Sequence, residues 1–253
     1  MANSVTRVHL APAVSAAGNH LRHPALVRVT HWVTTLAFLA LLVSGVEILI
    51  SHPRFYWGET GNVSTTPLFI IPIPASRVIV PTGYGYVLPD QNGWSRKLHF
   101  ESAWVAVLAG LLYAAYGFLG GHFRRNLLPS ASEISPKALA GDLGRHLRFQ
   151  RPREEDAWSY NTLQRLSYLA VIFVLFPLVV WTGLAMSPGL VSAIPAIVTV
   201  WGGQQTARTL HFFLSVLLVI FLVVHVLMVM HAGFRKRVGA MITGRAGRGG
   251  EGT

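Results

Sequence analysis

Four histidines stand where a polar ring has little reason to be unless it binds something: His31, His99, His211 and His225. The last two lie 14 residues apart in one uninterrupted apolar run, Thr209 to His231. At a rise of ~1.5 Å per residue they are separated by about 21 Å, and the 14 steps fall only ~40° short of four whole turns. Both imidazoles therefore share one face of one helix, at two depths. The chain contains no cysteine. That excludes disulfides, cysteine-held iron–sulfur clusters and covalent c-type haem, and it leaves histidine, carboxylate or methionine to hold any metal.

The elements that must position these rings are apolar helices. The chain has 253 residues, 52% of them hydrophobic and 12% charged, with a mean hydropathy of +0.46. Such a composition does not belong to an ordinary water-soluble domain. A membrane span takes about 20 apolar residues, and four stretches qualify: about 27–50, 97–119, 166–186 and 209–231. The run 190–200 is broken by Pro195 and too short to cross, so it reads as interfacial or re-entrant. The sequence predicts an all-α integral membrane protein, a bundle of four transmembrane helices. A polar tail, 1–26, precedes the membrane domain of 27–234, and a basic, glycine-rich, flexible tail follows over 235–253.

Charge orients the bundle. Sixteen Lys and Arg fall in the N-terminal tail, the connector 120–164 with the start of the third span, and the C-terminal tail, against five in the other two connectors. The positive-inside bias then predicts both termini in the cytoplasm, connector 51–94 in the periplasm and connector 120–164 in the cytoplasm. The net charge of +11 becomes a collar facing anionic lipid rather than a nucleic-acid surface. In the cytoplasmic connector, Ser135-Pro136 has the form of a helix start, and Leu139, Leu143 and Leu147 suggest an amphipathic surface helix.

With that orientation the four histidines pair by depth, His31 with His225 on the inner side and His99 with His211 on the outer side. Singly, each would serve as well as a hydrogen-bonded packing residue or a step in a proton path. Four that match in pairs suit two b-type haems stacked across a helical bundle, each iron between two neutral imidazoles. The remaining histidines read as ordinary polar residues: His9, His20 and His23 in the tail, His52, His122 and His146 in connectors, and His231 at the inner interface.

Arg28, Arg96 and Arg208 precede ligand candidates by about one turn, a place that suits haem propionates and interface anchoring alike. Trp32, Trp94 and Trp104 read as interface and packing aromatics. Gly45 and Gly183 permit close approach, and Glu47 suits pairing with Arg54 or Arg77 better than proton exchange. A short repeat runs through the chain. Arg96-Lys-Leu-His99-Phe matches Arg208-Thr-Leu-His211-Phe, and Arg28-x-x-His31 aligns more loosely with Arg165-x-x-Tyr168, each of the latter helices ending in Ser/Thr-Gly. Two related helical hairpins are expected.

The order of these histidines, with the segments RVTHW…SG, PRFYWGETGN, RKLHF and ARTLHFF, resembles the membrane cytochrome b subunits of respiratory formate dehydrogenase, nickel–iron hydrogenase and thiosulfate reductase over about residues 24–244. The resemblance implies two non-covalent haem b groups, the inner on His31 and His225 and the outer on His99 and His211. It implies a quinone site near the inner haem and electron transfer across the bacterial inner membrane. The GETGN-type connector looks closest to relatives that serve a periplasmic molybdopterin oxidoreductase, which would dock on 51–94. Two other readings stay open at this stage: a stand-alone quinone-linked haem enzyme acting on a small species such as superoxide, and a haem-free proton or metal transporter.

Overall fold

The computed structural model describes residues 24–62, 64–72, 91–130, 133–147 and 162–244, excepting the side chains of 91, 92, 125, 126, 142, 143 and 145–147. The expectations for the N-terminal tail with His9, His20 and His23, for Arg77, for the side chains of Leu143, His146 and Leu147, and for 245–253 lie outside the described residues.

Among the described residues, four helices are long and apolar enough to cross a membrane. The first, α1, is Ala25–Ser51, and a short antiparallel pair follows, β1 Arg54–Phe55 with β2 Phe69–Ile70. The second span is α2, Gln91–Leu119. It starts about two turns before the apolar stretch begins, because apolar length sets bilayer depth and does not stop a helix from continuing into the polar zone. A π-helical turn at Phe123–Leu127 leads to α3, Pro136–Leu147. There the Ser135 hydroxyl accepts the Ala138 amide, as the Ser-Pro start predicts.

The third span is interrupted. It comprises α4 Thr162–Ala170, a π-helical turn Val171–Leu175, and α5 Phe176–Leu184. Pro177 is the cause: its ring has no N–H and crowds the carbonyl four residues back, Phe173, so the ladder widens by one residue. Two short helices follow, α6 Pro188–Ala193 and α7 Ala196–Thr199, divided at Ile194-Pro195 as the proline predicts. The fourth span is α8, Gln204–His231.

The N-terminus of α8 is held by the first connector. The Gly58 carbonyl accepts the amides of Gln205 and Thr206, Glu59 Oε2 accepts that of Gln204, and Thr206 Oγ1 accepts the Gly58 amide. These contacts satisfy donors that a helix start leaves open. Gly203 has φ 124°, and a Cβ there would come within 2.5 Å of Gly58 backbone, so glycine is required at the crossing.

A correction concerns the C-terminal segment. The flexible tail expected from Arg235 contains a helix, α9, Phe234–Thr243. Its apolar Val238, Met241 and Ile242 follow helical spacing within a basic stretch, and its carbonyls meet α1. Trp32 Nε1 donates to Met241 O at 3.2 Å, and Arg28 donates to Ile242 O. The start of α1 and α9 therefore share one end of the bundle, the α9 end; the β-pair and the start of α8 mark the opposite, strand end.

The closest helix packing runs within two pairs, α1 with α2 and α5 with α8. This agrees with the two hairpins expected from the repeat. Large apolar side chains point outward along every span, Leu36 (67% exposed) and Leu108 (63%) among them, as suits a lipid-facing surface. The buried residues of the spans are mostly small: Thr30, Ser44, Ser102, Ala106, Thr182, Thr209.

Candidate cofactor site

Between the two helix pairs lies a cavity of about 2400 Å³, lined mainly by apolar side chains and reaching from His52, Arg96 and Arg208 at the strand end to Glu133, Arg165 and Arg237 at the α9 end. A ligand-sized pocket takes roughly 300–1,000 Å³. This one has room for more than one large group.

All four histidines singled out in the sequence line it. At the strand end the rings of His99 on α2 and His211 on α8 have centroids 6.3 Å apart. At the α9 end the rings of His31 on α1 and His225 on α8 are 6.4 Å apart. An iron between two imidazoles, with metal–nitrogen bonds of about 2.0 Å, holds ring centres about 6.3 Å apart. Each pair thus spans both hairpins at a spacing that fits one metal between its rings. The pairs contain only two histidines each, and no group of three or more metal-binding side chains occurs among the described residues. That donor set suits a tetrapyrrole, which supplies four equatorial ligands itself, better than a bare ion.

The repeat gives the strand-end rings matching hydroxyl and glycine neighbours. Ser44 Oγ lies 3.1 Å from His99 Nδ1, and Thr182 Oγ1 lies 3.1 Å from His211 Nδ1. The following glycines face the same rings: a Cβ on Gly45 would be 3.6 Å from His99 Cε1, and one on Gly183 would be 3.3 Å from His211 Cε1. The glycine expectation of close approach therefore resolves to helix against imidazole ring. The α9-end rings differ. His31 Nδ1 is buried with no hydrogen-bond partner among the described residues, and His31 packs edge-on against Trp32. Tyr168 lies 6.1 Å from His225, ring to ring, and Phe221 stacks on His225 at 5.7 Å.

The three arginines divide. Arg96 and Arg208 line the cavity and, with His52, Arg54, Tyr56 and Gln205, an adjoining pocket of about 280 Å³. Arg208 donates to His52 O and lies 5.1 Å over the Phe55 ring; Arg96 Nη2 is 3.4 Å from His52 Nε2. Burial, followed by the neighbouring Arg208 and Arg96 charges, lowers the His52 pKa from its usual value. Arg28 is not among the described residues that line the cavity; its guanidinium is turned onto α9. Arg165 and Arg237 supply the positive charge there instead.

Sequence reasoning treated several of these residues as ordinary. His52 and His122 both line the cavity, and Glu133 holds Arg165 while accepting from the Ser130 amide and hydroxyl. The signal for Ser44 and Thr182 was present in the Ser/Thr-Gly repeat, but only the helix pairing brings each to its histidine.

A four-helix membrane bundle whose hollow interior is crossed by paired imidazoles defines a membrane haem protein of the cytochrome b class. The chain belongs to the prokaryotic cytochrome b561 family, whose model matches residues 22–244. It is also similar to a putative protein-methionine-sulfoxide reductase subunit, YedZ1, of Azospira oryzae: 29% identical over 212 residues, 82% of this chain and 89% of the relative. No solved structure matches. The protein is accordingly a cytochrome b561-type haem electron-transfer protein, a multi-pass protein of the bacterial inner membrane that binds haem b.

Proposed function

We propose that the chain is a di-haem membrane subunit that links the quinone pool to a periplasmic oxidoreductase. The observation that carries the reading is the pair of ring spacings, 6.3 and 6.4 Å, at two depths of one cavity. His99 and His211 hold one haem at the strand end, and His31 and His225 hold the other at the α9 end. Bound haem supplies reversible one-electron transfer, so two along the bundle suit traffic between its faces. The protein's part is to fix the axial rings, exclude water with the apolar lining and place charge at the rims.

Arg96 and Arg208 suit the propionates of the strand-end haem, since both residues line the cavity at its polar rim. The termini are cytoplasmic by charge bias, which puts the α9 end inside. There Tyr113, His122, Glu133, Gln164 and Arg165 line the cavity beside the inner pair and offer hydrogen bonds and proton exchange to a quinone head group. The partner docks at the strand end on 51–94, where Trp57, Leu68 and Ile70 are exposed. The name of the Azospira relative, a reductase subunit, supports a partner enzyme, and the outer connector's resemblance supports a molybdopterin-dependent one.

The test is haem content and the reduced-minus-oxidised spectrum of purified wild type, His211→Ala and His225→Ala. Two haem b per chain, with each substitution removing one, is expected. A folded wild-type protein with a single haem, or single substitutions that leave both in place, refutes the two-site reading.

A further inference from the structure

The strand-end histidines are distinguished from the α9-end pair by what their second nitrogen meets. Ser44 Oγ is 2.7 Å from Ala40 O and 3.2 Å from Leu41 O; Thr182 Oγ1 is 2.8 Å from Leu178 O and 3.1 Å from Val179 O. Carbonyl oxygens only accept, so each hydroxyl spends its single hydrogen on its own helix. What it presents to the imidazole, 3.1 Å away in each case, is a lone pair. His211 Nδ1 is also 3.0 Å from the Val179 carbonyl, again an acceptor, and the Leu41 carbonyl interacts with His99 in the corresponding place. Nδ1 must therefore carry the hydrogen on both rings, and Nε2 carries the lone pair.

Ser44 and Thr182 are both fully buried, so water does not compete for these bonds. A hydroxyl already donating to a carbonyl is also a stronger acceptor. Hydrogen bonding from the outer nitrogen raises the basicity of the ligating one. Greater basicity favours the more highly charged, ferric state. Neither α9-end ring has such a bond among the described residues, and His31 Nδ1 is buried without a partner.

We propose that Ser44 and Thr182 are positioning residues that, acting with the Leu41 and Val179 carbonyls, fix the tautomer of His99 and His211 and hold the strand-end haem at a lower potential than the same ligands would give without the two hydroxyls. The proposal rests on the reading that these two histidines are axial ligands.

The experiment uses the full chain in detergent: Ser44→Ala, Thr182→Val and the double variant, with Ser44→Thr and Thr182→Ser as conservative controls. Redox titration of the haem absorbance follows each midpoint, and low-temperature EPR of the oxidised protein reports ligand strength. In the double variant one of the two midpoints is expected to rise, by about tenfold in the ferrous-to-ferric ratio at fixed potential, or about 59 mV for a one-electron couple. The other midpoint stays in place, and the conservative controls return to the wild-type value. Selective loss of one haem in Ser44→Ala, regained in Ser44→Thr, also supports the role. Should Ser44→Ala fail to assemble, Thr182→Val carries the test alone. Two unmoved midpoints in a variant that keeps both haems, or an equal shift of both, overturns the proposal. A His211→Ala variant that retains two haems removes the ligand reading beneath it, a distinct result.

Discussion

On the di-haem reading, the two glycines against the His99 and His211 rings permit a graded prediction. A glycine-to-alanine change within a helix recovers roughly 0.5–1 kcal/mol of conformational entropy where the new methyl fits. At Gly45 the methyl would meet His99 Cε1 at 3.6 Å, an ordinary contact, so Gly45→Ala is expected to stabilise the protein slightly and keep both haems. At Gly183 the distance is 3.3 Å, and the His211 ring must yield by a few tenths of an ångström. The entropy gain and the strain then about cancel. Valine extends the side chain by about another 1.5 Å, and at Gly183 a methyl enters the space of the imidazole. Overpacking of this kind costs about 1–3 kcal/mol. The larger effect is displacement of the ring, and disturbed ligand support lowers metal retention about 10–100-fold. The assay is haem per chain together with thermal unfolding in detergent for Gly45→Ala, Gly183→Ala and Gly183→Val. Two, two and one haem are expected, the one remaining being that of His31 and His225. Full loading of Gly183→Val, or haem loss in Gly45→Ala, would refute the argument.

Other perturbations separate the remaining contacts. Gly203→Ala, at φ 124° and against Gly58 backbone, is expected to lower the unfolding temperature by an amount matching about 2–3 kcal/mol, read by differential scanning fluorimetry; an unchanged midpoint contradicts the requirement for glycine. Trp32→Phe removes the hydrogen bond to Met241 O and should loosen α9 by about 1 kcal/mol, seen as faster trypsin cleavage at Arg235–Arg237 with haem content unaltered. The bonds from the Ser130 amide and then its hydroxyl, with a smaller part from Arg165, hold the Glu133 carboxyl below its ordinary value of 4.5. A depressed carboxyl stabilises the fold above the unfolded pKa, and that stabilisation is lost as pH falls through the folded one. Limited proteolysis of the 120–164 connector is therefore expected to quicken as pH falls below about 4.5. In Glu133→Gln the pH dependence should flatten, and matching profiles for the two proteins would remove Glu133 from the account.

How much was legible in the chain depends on the range of the interaction. The spans are set by apolar length and the histidine depths by helical rise, both local quantities, and both reappear in the structure. Pro195 divides α6 from α7 for a local reason as well. The cap on α8 was not legible, because Gly58 and Gln205 are brought together only by the return of the first connector over the bundle. Nor was the fate of Arg28, whose partner lies 214 residues away. The C-terminal helix was missed because glycines and basic residues dominate the composition there, whereas its three spaced apolar residues and its contacts with α1 decide the outcome. Ser44 and Thr182 look like routine helix residues until the neighbouring helix supplies a ring.

The hollow between the helix pairs has a consequence for how the protein comes into being. A bundle normally closes on its own side chains, but here each pair of rings draws one member from each hairpin, with about 2400 Å³ between them. Direct bonds tie the halves only at the two ends, Gly58 with the start of α8 and Trp32 with α9, and on the di-haem reading a bound group would add a tie through each ring pair between them. Ligand that binds only the assembled state stabilises it by mass action. On that reading the supply of haem sets how much of the chain reaches the closed bundle, and cells starved of haem are expected to hold less protease-resistant protein at the same level of synthesis.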